Sequence, residues 1–295
     1  MMEQQDQTLD FFNAFAGDWQ RKATSETYSV IENRHAAVLK VMEAFGSGAS
    51  LLDVGCGTGQ LAIEASSRGW KALGIDFASE MIALSKSNNS VAEGNAQFEC
   101  VSVFDLKATS DSFDVISAQG FVEYISLQQF DEFLDLVKPL LTNRGSLVLG
   151  SRNRLFNLHT LNEFTEIERQ LGTIDRLVEE SCILQTSSTQ HEALSKLKKL
   201  KYEYEQPKSH PITGIGVETR YQFTPGDLIT RLARHGLQVV GIYPVHFHAL
   251  PLSVTDNQGA SAIQNYLARF ALEHWITLQN LVPYCSSFVI EAKKV

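Results

Sequence analysis

Apolar and polar residues alternate along this chain with two periods, and the changes from one to the other divide it into elements. Leu51, Leu52 and Val54 form a short apolar run suited to a buried parallel strand. From Leu61 the spacing becomes helical, with Ile63 and Ala65 following, and it stops near Arg68-Gly69. Further strands are predicted over Lys71–Ile75, Gln97–Val103, Phe113–Ala118 and Ser146–Gly150, the last entered by a turn at Asn143-Arg144-Gly145. Ser126 and Gln129 make a capping box before a helix that carries Phe130, Phe133, Leu134, Val137 and Leu141. Upstream, Leu9, Phe12, Phe15 and Trp19 fall near one helical face, and a second helix runs from about Ile31 to Phe45. Between 152 and 222 the alternation breaks into helical patterns and a lysine-rich patch with no convincing strand. It resumes with a helix at Pro225–His235, a strand at Leu237–Tyr243, a helical stretch near 258–280 and a strand at Ser287–Ala292. Strand alternating with helix predicts an α/β fold built of βαβ units.

The most informative stretch is LLDVGCGTGQL, residues 51 to 61: strand, glycine turn, helix. A turn alone would explain the glycines; a cradle for a nucleotide-like ligand at the helix N-terminus would also explain the acid before them. The dinucleotide fingerprint G-x-G-x-x-G wants its third glycine at position 60, where Gln60 stands, and it has no place for Asp53. The pattern is D-x-G-x-G-x-G, and it resembles the first motif of the class I S-adenosylmethionine-dependent methyltransferases.

That resemblance implies a Rossmann-like, seven-stranded, mainly parallel sheet with helices on both faces. With the pattern along the chain, it suggests an N-terminal helical cap (1–47), a cofactor-binding core (48–151), an insertion after strand 5 (152–222), which the resemblance does not cover, and the rest of the core (223–295). By the same resemblance Asp53, Gly55, Cys56, Gly57 and Gly59 form the cofactor loop, and Asp76 accepts from both ribose hydroxyls, flanked by Phe77 and Met81. Phe104 and Asp105 would offer the adenine ring a backbone N–H and a carboxylate, with Gln119-Gly120 at the end of the fourth strand. Taken singly, each acid reads as a turn or cap residue; Asp53, Asp76 and Asp105, each at a strand's carboxyl end, favour a site. Arg34 resembles an N-terminal arginine that meets the methionine carboxylate in some members, where an aromatic helix folds over the cofactor. The expected reaction is methyl transfer to a small molecule, at oxygen before nitrogen or carbon, releasing S-adenosylhomocysteine. A non-catalytic module that binds the nucleoside is the rival, and a nicotinamide oxidoreductase a distant third.

Composition narrows the partners. A formal net charge of −9 over 295 residues leaves no basic footprint for nucleic acid. Four cysteines without C-x-x-C spacing argue against zinc or a disulfide framework, and no metal set stands out. The polar start MMEQQDQTLD is no signal peptide and no apolar run reaches membrane-spanning length, so the expectation is a cytoplasmic protein without membrane insertion. A homodimer is left open.

Glu123, past the fourth strand, and His246 and His248, which share a side if the segment is extended, are candidate general bases, the histidines titrating near their ordinary range. Arg152 and Arg154, leaving the fifth strand, and Arg220 in the insertion are candidate docking points for an anionic acceptor. The lysines at 196, 198, 199 and 201 read as a solvated face. The insertion itself reads as a lid or acceptor-binding subdomain, with a structural annex or dimerisation arm as the alternative.

Overall fold

A computed structural model describes residues 2–23, 30–107, 109–207, 221–250, 262–268, 270 and 278–295. Its centre is a single sheet of β1 (Ser50–Val54), β2 (Lys71–Asp76), β3 (Gln97–Cys100), β4 (Phe113–Gln119), β5 (Leu141–Arg152), β6 (Leu237–Phe247) and β7 (Cys285–Lys294). The spatial order is β3-β2-β1-β4-β5-β7-β6. Neighbours pair in parallel except at β7, which runs antiparallel to both β5 and β6. The chain builds outward from β1 to β3 and then returns to lay β4 on β1's other side. That reversal is the switch point at which an open α/β sheet leaves a crevice past its strand ends. Leu51, Leu52, Val115, Ile116, Leu147 and Val148 are fully buried, as unbroken apolar strands covered on both faces must be.

Helices cover the two faces: α1 (Met2–Ala14), α2 (Ala16–Ala23), α3 (Val30–Glu43), α4 (Gln60–Ser67), α5 (Ser79–Val91) and α6 (Leu127–Val137), then α7 (Asn157–Thr160), α8 (Glu163–Leu171), α9 (Ile174–Thr186), α10 (Gln190–Leu200) and α11 (Pro225–Arg234). The capping box at Ser126 and Gln129 is formed in both directions. The predicted 1–47 cap divides in two. α1 and α2 sit on α5, whereas α3 packs on β4 to β7 with Val38 and Met42 fully buried and gives Arg34 to the crevice. The reason is α3's continuous apolar side, which the sheet needs as cover.

Several strand boundaries also differ, β7 extending two residues beyond its predicted range at each end. β3 stops at Cys100, and a 3₁₀ turn over Val103–Asp105 follows, because the Ser102 hydroxyl accepts from the Phe104 N–H and bends the chain. The Asn143–Gly145 turn stays inside β5 as an irregularity, the register stepping from Phe113↔Leu141 to Val115↔Ser146. β6 runs on through His246. Of the predicted helix near 258–280, residues 262–268 are helical; most of the remainder lies outside the described residues.

Most of the described part of the insertion is helical, but it is no detached lid. Leu177, Leu184 and Leu197 are fully buried in the same cluster as Leu237, Phe288 and Ile290. Glu180 on α9 ties it down, accepting from the Tyr204 hydroxyl (2.7 Å), the Thr224 hydroxyl (2.9 Å) and the Gly226 N–H (2.9 Å) at the start of α11. Among the described residues no helix is long and apolar enough to cross a membrane.

Candidate active site past the carboxyl ends of the strands

The turn after β1 carries three glycines at positive φ: Gly55 (68°), Gly57 (53°) and Gly59 (88°). They do different work. A Cβ on Gly57 would meet nothing within 4 Å, so its bare backbone faces open space. A Cβ on Gly59 would lie 2.8 Å from Phe98 and Ser85, so this glycine lets the loop pack on its own floor.

Asp76 closes the second strand beside that loop. One carboxylate oxygen accepts from the Gly57 N–H (3.0 Å), the other from the Ala78 N–H (2.9 Å). Burial raises its pKa to about 6, the backbone donors opposing. Asp53 is buried beneath the loop, and burial raises its pKa to about 7, with the nearby Asp76 carboxylate adding to the effect.

A cavity of about 580 Å³ opens over these groups, a volume within the usual range of small-molecule sites. Of the predicted residues it brings together Gly55, Cys56, Gly57, Asp76, Phe77, Met81 and Phe104, which follow β1, β2 and β3. Gln119, Gly120 and Glu123 after β4, Arg34 from α3, Arg152 at the end of β5, and His246 and His248 from β6 also line it. Phe12 and Trp19 come over the top from α1 and α2, and Phe12 meets Tyr124 edge to face at 5.3 Å.

Four predicted residues are not among the cavity's lining. Asp53 and Gly59 support the loop from below. Asp105 is exposed, because the 3₁₀ turn buries Val103 and points the chain's next acid outward; Ser102 and Phe104 line the cavity instead. Arg154 is buried at 1% exposure and held by Glu168 through Nε and Nη2, both at 2.9 Å, so it anchors the insertion and offers no free face to an anion. Arg220 lies outside the described residues.

Glu123 does not stand as a free base. Its carboxylate accepts from Arg34 Nη2 (2.9 Å) and from the Arg152 backbone N–H (3.0 Å). The two histidine rings touch at 4.3 Å, with His246 at φ 56°, and His248 lies 4.7 Å from Phe156. Burial lowers His246 to about 3, with His248 and Arg34 contributing, and lowers His248 to about 4. Both imidazoles are therefore neutral across the physiological range, contrary to the expected ordinary titration. His246 Nδ1 is 2.7 Å from the Ser286 hydroxyl, while both ring nitrogens of His248 are buried without a hydrogen-bond partner.

Sequence reasoning missed Ser286 and Ser287 on β7, and Asn157 and Gln222, which pair at 2.8 Å in the cavity wall. Antiparallel placement of β7 beside β5, had it been used, would have put Ser287 opposite Arg152.

Residues 51–145 match a family model described as a methyltransferase domain. A ubiquinone biosynthesis O-methyltransferase of Nitrobacter winogradskyi is 30% identical over 108 residues, 37% of this chain and 40% of that protein. One from Coxiella burnetii is 26% identical over 114 residues, 38% of this chain and 47% of that one. The chain thus spans less than half the length of these curated relatives. Magnesium protoporphyrin IX methyltransferase from Synechocystis PCC 6803, solved with bound SAH, superposes with a TM-score of 0.56 at 15% identity, over 99% of this chain and 100% of that one. The 1,6-didemethyltoxoflavin-N1-methyltransferase of Burkholderia thailandensis gives 0.57 at 12%, over 100% and 90%. The chain thus shares its fold with these solved methyltransferases, and residues 51–145 match the methyltransferase-domain model. The matched stretch runs from β1 to the start of β5.

Proposed function

We propose that the protein transfers a methyl group from S-adenosylmethionine to an oxygen of a small, anionic or hydroxylated acceptor, leaving S-adenosylhomocysteine. The observation that carries this reading is one continuous cavity reaching from Asp76 to the His246–His248 pair.

The residues fit the cofactor. Backbone N–H groups of Gly57, Phe77 and Ala78 donate to the Asp76 carboxylate, and its remaining lone pairs suit a pair of ribose hydroxyls. Gly57 admits close approach. Arg34 Nε is buried without a partner, and a carboxylate would satisfy it. When bound, the cofactor supplies an electrophilic methyl group on a sulfonium.

The chain's own task is alignment and proton removal. A neutral His248, with two unpartnered nitrogens, can accept the proton of a hydroxyl nucleophile. Arg152, a quarter exposed, supplies a cation for an acceptor's carboxylate or phosphate. Mass spectrometry of a metabolite extract incubated with enzyme and cofactor tests the reading. A compound heavier by one methylene is expected; cofactor binding with no methylated product would favour a nucleoside-binding module.

A further inference from the structure

Glu123 sits where three separate pieces of chain meet. It lies past β4, is 2% exposed, and its Oε1 accepts from both Arg34 Nη2 (2.9 Å) and the Arg152 backbone N–H (3.0 Å), with Arg152 Nε 3.9 Å from Oε2. Its own carbonyl accepts from the Tyr221 N–H (2.9 Å), where the chain returns from the insertion. One buried carboxylate therefore serves two arginines that both line the cavity.

Arg34 is held tightly enough for its direction to matter. Its Nη2 also donates to the Ser287 hydroxyl (2.9 Å). Its Nη1 crosses Gly120, 2.6 Å from where a Cβ would stand, and its Cδ passes Gly150 at 3.5 Å on the same measure. Only glycine at 120 leaves room for this path. With Nη2 held twice, the buried Nε–H remains the donor without a partner.

We propose that Glu123 is a positioning residue: it holds the Arg34 guanidinium across Gly120 for the amino-acid end of the cofactor, and fixes the exit of β5 at Arg152 with the same carboxylate. The proposal rests on the cofactor reading above. Glu123→Gln keeps the shape and removes the charge that orients Arg34.

Calorimetry with two probes tests it, S-adenosylhomocysteine, which has an amino-acid end, and adenosine, which has none. Glu123→Gln should weaken S-adenosylhomocysteine binding by about tenfold, the scale of one charge-assisted hydrogen bond, and leave adenosine within about twofold of wild type. In an Arg34→Met background the substitution should then have almost no further effect. Equal weakening of both probes would mean a general disturbance of the fold and overturn the proposal, as would unchanged binding of both. Should Glu123→Gln not fold, Glu123→Asp shortens the reach to both arginines and must give the same unequal loss. If wild type binds neither probe, it is the cofactor reading that fails, and methyl transfer to any acceptor is measured separately.

Discussion

Arg152 and Arg154 stand two residues apart at the exit of β5 and face different interiors: Arg152 lines the cavity, while Arg154 is closed onto Glu168. Replacing each by Met should separate the roles. Arg154→Met leaves Glu168 buried without its cation and should cost about 3–5 kcal/mol of stability. Arg152→Met should leave the denaturation midpoint nearly unchanged and raise the Michaelis constant of an anionic acceptor severalfold. Urea unfolding of both variants checks the first half, and an Arg154→Met midpoint equal to wild type would refute it.

Gly57 and Gly59 make a second pair. Gly59→Ala combines a left-handed backbone with a Cβ driven against Phe98 and Ser85, so a loss of about 2–4 kcal/mol is expected. Gly57→Ala has open space around it and should cost about 1–2 kcal/mol, with the larger injury to S-adenosylmethionine affinity. Thermal unfolding and calorimetry on both should give opposite rankings; the same ranking in both would show that the two glycines share one role.

How much of this was legible in the sequence follows from range. The glycine loop, Asp76 and the capping box are local patterns, in which partners sit within a few residues or at successive strand ends, and spacing reveals them. Arg154 was misread because its partner is Glu168, on a helix whose packing the insertion's sequence does not disclose. Glu123 was read as a base because Arg34 is 89 positions away in the chain. Asp105 was misplaced by a single serine: Ser102 bends the chain before the acid can reach the site. The neutral histidines depend on burial, which no spacing encodes.

Asp76→Ala should weaken S-adenosylmethionine binding about ten- to a hundredfold, by loss of two charge-assisted acceptors. Titration calorimetry near pH 7.5 gives the answer, and wild-type affinity would remove Asp76 from the site.

The histidine pair sets a pH expectation. Because His246 and His248 fall to about 3 and about 4, the neutral form persists well below the ordinary histidine range. Activity owed to either imidazole should therefore show no acid limb near pH 6.5. In stability terms the unfolded chain takes up their protons first, so their contribution is lost as pH falls from about 6.5 toward 4. A wild-type pH–rate profile with a limb at 6.5 that vanishes in His248→Gln would contradict this.

Glu180 behaves in the opposite sense. Burial raises it to about 7, so it favours the folded state below its unfolded value near 4.5, and that contribution is lost as pH rises through about 7. Glu180→Gln removes the dependence. The stability of wild type relative to this variant should fall by roughly 2 kcal/mol between pH 5 and pH 8. Urea unfolding at the two pH values measures it; a constant difference would show that the group does not titrate in that window.

β7 lies between β5 and β6 in space but follows both in the chain, separated from β5 by more than 130 residues. During synthesis the strands β3-β2-β1-β4-β5 can assemble once residue 152 has emerged, since each pairs with a neighbour already made. β6 has no sheet partner until residues 285–294 arrive, and Ser286, Ser287 and the two histidines stay unassembled with it. The part of the cavity lined by the glycine loop and Asp76 is thus born early, and the part lined by Ser286, Ser287 and the histidines late. A nascent chain stalled before residue 285 would display the first without the second, a cavity with one wall still unmade.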